Sequence, residues 1–211
     1  MTRSIAVLAA LSLFGCRSIE GGPEVSESRT LDAFTHVRIE DGIPAKLGPG
    51  TPQVTINAPQ KVVANLTTVV KNGTLIVTLK PNVIVTSMEG TELLITGAGV
   101  VAVEATGASA LDVSGIDVSA FRGTASGASQ LTLRGSTTDL RLNASGASTL
   151  SAGKLATQTA TADASGASTI EVNASKSIEG SASGASKITV SGGADASHVS
   201  ATGSSFVSTS N

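Results

Sequence analysis

The chain has no tryptophan, no tyrosine, four phenylalanines and one cysteine among its 211 residues. With so few rings, a core has to be assembled from many small aliphatic side chains. One cysteine excludes an internal disulfide. The two histidines, His36 and His198, are separated by most of the chain and offer no pair at metal-ligand spacing, so a zinc site is not expected. Charge is thin as well: 14% of residues are charged, the net charge is −2, and no basic block could neutralise a run of phosphates. Nucleic acid is therefore excluded as an expected partner. No proline follows Pro81. At 40% hydrophobic, the chain is still too apolar to remain disordered, and one or at most two ordered domains follow.

What is present begins with an address. Arg3 supplies a positive start and Ile5 to Phe14 an apolar stretch of signal-peptide length, too short to cross a bilayer as a helix. Leu13-Phe14-Gly15-Cys16 resembles the lipobox of bacterial lipoproteins, although Phe14 is bulkier than that pattern usually carries. The resemblance implies cleavage after residue 15 and a lipid on the Cys16 thiol. Arg17 stands where an Asp would signal inner-membrane retention in such lipoproteins, so the outer membrane is the expected location. No later run reaches 18 apolar residues, which leaves lipid as the expected membrane attachment. Residues 16–29, with Gly21, Gly22 and Pro23, read as a flexible tether.

The second half is a repeat. Ala105-Thr106-Gly107-Ala108-Ser109 recurs as a theme around Gly127, Gly146, Gly166, Gly184 and Gly203, six copies whose glycines lie 18–20 residues apart. So short and regular a period marks a solenoid with one coil per copy. Strict alternation flanks each copy, as in Phe121, Gly123, Ala125, Gly127, Ser129, Leu131 and Leu133, and period two means strand. Residues 105–211 are thus expected to form a parallel β-helix. On this parity the repeat glycines face inward at the narrowest part of the coil. Ser109, Ser129, Ser148, Ser168, Ser186 and Ser205 then form an inward ladder whose hydroxyls bond one to the next. A turn inside the phrase would break that parity and leave the ladder's direction open.

Residues 30–104 are organised differently. Lys71-Asn72-Gly73-Thr74 between apolar runs is a two-residue hairpin signal, and Lys46 to Thr55, with Gly48-Pro49-Gly50-Thr51-Pro52, reads as a looser hairpin. Leu93 to Val103 reads as a degenerate coil that joins the repeat. The fold class expected is all-β, a parallel β-helix led into by an antiparallel β-hairpin segment that caps its first coil, with 30–211 one domain.

The order of these parts carries a further likeness. A lipoprotein leader, then Val37 to Ile39, Gly42 to Leu47 and Lys71 to Val77, then iterated Ala-Ser-Gly-Ala-Ser, resembles the bacterial family called putative auto-transporter adhesin, head GIN domain. The resemblance covers about Leu31 to the C-terminus. It implies a right-handed β-helical domain on the cell surface or in the periplasm, and it brings no catalytic residues with it.

A search for chemistry finds little. Asp195 and His198 lie among serines, but any Ser-rich chain permits the drawing of a triad. Glu104, Asp112, Asp163, Glu171 and Glu179 fall apart in repeat register. Five residues before each repeat glycine the column reads Ala102, Arg122, Arg141, Thr161, Glu179, His198, a solvated face or a sugar or anion site. The glycine-aspartate signature of calcium-binding rolls is absent, which leaves calcium only scattered carboxylates. Hydroxyls at Thr106, Ser126, Ser145, Ser165, Ser183 and Thr202 are mostly Ser and lack the methyl groups of an ice-binding face. The expected function is a lipid-anchored envelope protein of structural or adhesin-like role, with no catalysis and no cofactor. A polysaccharide hydrolase or lyase on the same scaffold is the alternative. Expected partners are the membrane through the lipid, envelope glycans or proteins, and a second copy at the C-terminal coil. There Phe206 and Val207 mark the candidate edge, because no helix or charged run follows the sixth copy; either Phe206 and the last residues fold back as a plug, or the end pairs with a second molecule or another envelope component.

Overall fold

Alternation of apolar and polar residues runs through most of the chain, and the chain answers it with strands. The computed structural model describes residues 17–19 and 21–210, so Cys16 and the leader lie outside the described residues. The strands are β1 (Arg17–Ile19), β2 (Glu24–Thr30), β3 (His36–Ile39), β4 (Pro44–Pro49) and β5 (Gln53–Pro59), followed by the one-turn helix α1 (Gln60–Val63). Next come β6 (Leu66–Lys71), β7 (Thr74–Leu79), β8 (Val83–Val85), β9 (Glu92–Gly97) and β10 (Ala102–Ala105). Four long bent strands follow, β11 (Ala110–Ala125), β12 (Gln130–Ala144), β13 (Thr149–Ala164) and β14 (Thr169–Ala182). The series ends with β15 (Lys187–Ser191), β16 (Asp195–Ala201) and β17 (Phe206–Thr209). Apart from the parallel pair β1–β8, all the strands join one sheet wound into a solenoid.

Two parallel stacks build the coils. One runs β7, β3, β10, the C-terminal segments of β11 to β14, then β16. The other runs β9, β4, the N-terminal segments of β11 to β14, β15 and β17. Between the stacks the inner columns hold small and branched aliphatics such as Leu131, Leu142, Leu150, Ala162 and Ile170, all fully buried. The expectation of an all-β solenoid of stacked parallel coils holds.

Each corner between the stacks is the repeat phrase, and here the expected parity breaks. Ala125 and Ser129 are buried, but Gly127 between them is exposed, as are Gly107, Gly146, Gly166 and Gly184. The repeat glycines have φ between 72° and 76°, the left-handed region that turns the corner. They are needed for a second reason. The Ala147 N–H donates to the Gly127 carbonyl at 2.7 Å, and a Cβ on Gly146 would lie 2.6 Å from that same oxygen. The narrow contact therefore lies between coils at the surface, not in the core.

The serine column does face inward: Ser109, Ser129, Ser148, Ser168 and Ser186 are at most 2% exposed. Its hydroxyls do not bond one to the next, however. Ser148 Oγ donates to backbone, with the Ala125 carbonyl of the coil below at 3.1 Å and its own Ser145 carbonyl at 2.9 Å, and Ser129 and Ser168 repeat the pattern. A carbonyl is already fixed in place by the ladder, so it is the better-placed acceptor for a rotating hydroxyl. Ser109 Oγ alone in this column has no partner. One coil below, its position is taken by Ile43, as the parallel bonds Gln130 N–H to Ser109 O and Ala110 N–H to Ile43 O show.

The base departs further from expectation. The Lys71–Thr74 hairpin is present, with Asn72 at φ 50° and Gly73 at φ 73°. The Lys46–Thr55 hairpin is not: β9 lies between β4 and β5, parallel to the first and antiparallel to the second. Leu93, Ile95, Val54 and Ile56 thereby bury one apolar face that a direct β4–β5 pair would have left to β9 alone. Nor do β9 and β10 make one coil. The first coil is instead β3, the turn Glu40 to Ile43, and β4, on which β10 and β11 stack directly. Residues 24–29, read as part of the tether 16–29, lie in strand β2, paired in register along β5 from Glu24–Pro59 to Thr30–Gln53. Arg29 locks this layer to the helix, reaching Glu27 at 2.6 Å, Leu66 O at 3.1 Å and Val63 O at 3.3 Å.

Candidate interaction surfaces

On the first stack, side chains of one parity point outward, and parallel register lines them up. The column assembled from repeat spacing is present: Ala102, Arg122, Arg141, Thr161, Glu179 and His198 are successive register partners. His36 extends it by one coil below Ala102. Sequence spacing missed this member because residues 48–101 intervene before the repeat resumes. A second outward column beside it runs Ala120, Asp139, Thr159, Ser177, Asp195. From His36 to Glu179 and from Ala120 to Ser177 the two columns line an open groove of ≈1290 Å³ that crosses several coils, with Asp195 and His198 on the coil beyond it. Arg122, Arg141, Asp139 and Glu179 are exposed along it, and Thr159 Oγ1 donates to Asp139.

The groove brings some candidates together and leaves others apart. His36 and His198 stand at opposite ends of the first column, six coil steps or roughly 29 Å apart at about 4.8 Å per step. Among the described residues no group of three or more His, Cys, Asp or Glu is placed to hold a metal ion. Asp195 accepts a hydrogen bond from the Ser197 N–H at 2.9 Å, while His198 Nδ1 meets Ser197 Oγ at 3.2 Å. The carboxylate thus holds its own turn rather than the imidazole, and the order of a triad is not made. The Ser197 N–H and then its hydroxyl hold the Asp195 carboxyl below its ordinary value.

The other carboxylates serve the surface. Glu104 bonds Arg38 at 2.7 Å, Asp112 bonds Arg134, and Asp163 accepts from Ser181 Oγ at 2.8 Å. In register Glu104 and Asp163 are separated by Thr124 and Asn143, and Asp112 and Glu171 by Thr132 and Ser151. No two of the five are register partners. On the second stack Lys46 pairs with Glu92, whose carboxylate raises the ammonium above its ordinary pKa.

The candidate edge at the C-terminal coil has a distinct character. There, among the described residues, β17 pairs only with β15 and β16 only with β14. Phe206 is 58% exposed, and Val207 is half-buried above Ile188. Cys16 lies outside the described residues. No helix among the described residues is long and apolar enough to cross a membrane.

The family model described as putative auto-transporter adhesin, head GIN domain, matches residues 33–194. No curated protein matches the chain by sequence. Among solved structures, a putative adhesin from Bacteroides fragilis is 15% identical, with TM-score 0.73, and the match covers 89% of this chain and 97% of that one. A putative adhesin from Parabacteroides merdae is 14% identical with TM-score 0.62, covering 92% and 99%. A putative lipid binding protein from Parabacteroides distasonis is 13% identical with TM-score 0.56, covering 92% and 100%. At these identities the structures share the fold.

Proposed function

This chain belongs to the putative auto-transporter adhesin, head GIN domain family, and from that premise we propose that it is a lipid-anchored protein of the bacterial cell envelope with an adhesin-like, non-catalytic role. The observation that carries the role is the registered outer face. Parallel coils repeat the same outward positions at about 4.8 Å, so a partner meets continuous columns of side chains rather than a single pocket. The hydrolase or lyase reading has no comparable support, because the carboxylates named above do not converge.

The anchor rests on the leader. Cleavage after residue 15 leaves Cys16 as the lipid-bearing N-terminus, and Arg17 in place of Asp favours the outer membrane. Each acyl methylene buried contributes about 0.8 kcal/mol, and more than one chain is needed for firm attachment. Since β1 follows Cys16 directly and pairs with β8, lipid there would set the base half beside the membrane. The C-terminal coil, with Phe206 and Val207, is a second contact edge of the same protein, suited to another copy. Replacing Cys16 with Ser, fractionating cells and labelling with palmitate tests the anchor; unchanged labelling and membrane retention would overturn it. The role is tested by retention of cells bearing the protein on a surface coated with envelope material. Equal retention of cells lacking it would sink the adhesin-like reading.

A further inference from the structure

Three of the arginines whose side chains are described, Arg29, Arg38 and Arg134, each meet a carboxylate. Arg122 and Arg141 meet none among the described residues, and they are register partners on adjacent coils. The strands that carry these two like charges are about 4.8 Å apart, and like charges on directly paired positions cost stability. Both line the groove, with Asp139 beside Arg141 on the same coil and the hydroxyls of Thr159, Thr161 and Ser177 and the carboxylate of Glu179 on the next two coils.

The chemistry of the groove narrows its occupant. Paired guanidinium groups fork onto a carboxylate better than any other cations do. Two cations are far too few for duplex nucleic acid, which carries a charge about every 1.7 Å. A densely acidic peptide would bring further carboxylates against Asp139 and Glu179. It would also find no strand edge on this face, where the backbone groups of the inner coils are already bonded to the coils on either side. Sugar hydroxyls, by contrast, donate to carboxylates and exchange bonds with Ser and Thr.

We propose that this groove binds an acidic polysaccharide, one carboxylate seated on Arg122 and Arg141 and the adjoining neutral sugar on Thr161, Ser177 and Glu179. The proposal rests on the adhesin-like reading and names its partner class. The probe is a hyaluronan octasaccharide, in which a uronic acid alternates with a neutral sugar, titrated calorimetrically into the full-length protein and into the Arg122→Gln/Arg141→Gln variant. A chitin oligosaccharide of equal length and a poly-glutamate peptide serve as comparisons. The expected result is binding of the hyaluronan fragment that weakens at least tenfold in the variant and with added salt, no binding of the neutral oligomer, and a urea midpoint in the variant no lower than in the unaltered protein. The proposal is overturned by no binding to the unaltered protein, by equal binding to the variant, or by tighter binding of the peptide. The coated-surface assay separates the two readings. Retention that persists in the variant leaves the adhesin-like role standing and removes the groove, whereas no retention with the unaltered protein removes the role itself.

Discussion

At the base of the stack β6 runs antiparallel beside β7, and β5 runs antiparallel beside β9 with β2 outside it, whereas at the other end β16 and β17 have no strand beyond them among the described residues. The base also carries α1, whose Val62 and Val63 are buried against the core, and Arg29 ties that layer together. The last coil contributes no fully buried residue. A reversed strand ends the repeating register, so no further coil can be added there by the same rule. A parallel terminal coil leaves its unpaired N–H and C=O groups and part of its apolar interior available. The base is therefore built to stop the stack, and the C-terminal coil retains a surface on which contact can be made.

The contrast can be broken most severely in the base. Ile56, fully buried in β5, should cost about 2–5 kcal/mol when changed to Ala. Val207→Ala in the half-buried last coil should cost no more than about 1 kcal/mol. Urea unfolding followed by circular dichroism reads both, and equal losses would show that the last coil is as well packed as the base. Phe206→Lys bears on the same end: if copies pair through that edge, light scattering should show the unaltered protein larger than the variant at high concentration, while monomers throughout would refute pairing.

A smaller effect separates the inner corners from the last one. Gly146→Val forces a branched residue to φ 76°, at about 1–3 kcal/mol, and drives a Cβ to 2.6 Å from the Gly127 carbonyl, at a comparable cost. Gly203 shares the backbone strain at φ 72°, but its Cβ would keep 3.1 Å from the Gly184 carbonyl. Gly203→Val should therefore lower the urea midpoint by roughly half as much. Equal losses would show that backbone strain alone decides.

Smaller still is the difference between two serines of one column. Ser148→Ala removes a hydroxyl bonded to backbone carbonyls and should cost about 1 kcal/mol. Ser109→Ala removes a buried hydroxyl without a partner and should be neutral or stabilising. Equal destabilisation in thermal melts would mean that Ser109 has found an acceptor.

The least effect is at Asp195. Its carboxyl lies below the ordinary 3.8 in the folded state, so its contribution is complete above that pH and disappears as pH falls through the lower, folded value. Protection of β16 amides against hydrogen exchange, taken relative to the intrinsic amide rate at each pH, should fall below pH 4 compared with pH 6 in the unaltered protein, and Asp195→Asn should remove that loss. Because the group is fully exposed, solvent screens the effect and only the last coil should respond.

Much of this was legible in the residues. Period two between successive glycines revealed the strands, the period of 18–20 residues revealed the coils, and Asn72-Gly73 revealed its turn. The outward column containing Arg122 and Arg141 was legible too, because parallel register preserves repeat spacing. The corner was misread because αL at Gly127 interrupts the alternation while leaving Ala125 and Ser129 both inward, so that parity on either side looks unbroken.

The amino-acid sequence by itself determined the strands, the coil length and the turn at Asn72-Gly73, since each is set by the steric demands of a few neighbouring residues. Only the tertiary structure decided that β3 and β4 form the first coil, that β9 separates β4 from β5, that residues 24–30 pair along β5, and that His36 extends the arginine column. These are contacts between segments far apart in the chain. Many strands in this chain carry an equally suitable apolar face, and which of them meet is settled by the one arrangement that buries all those faces together.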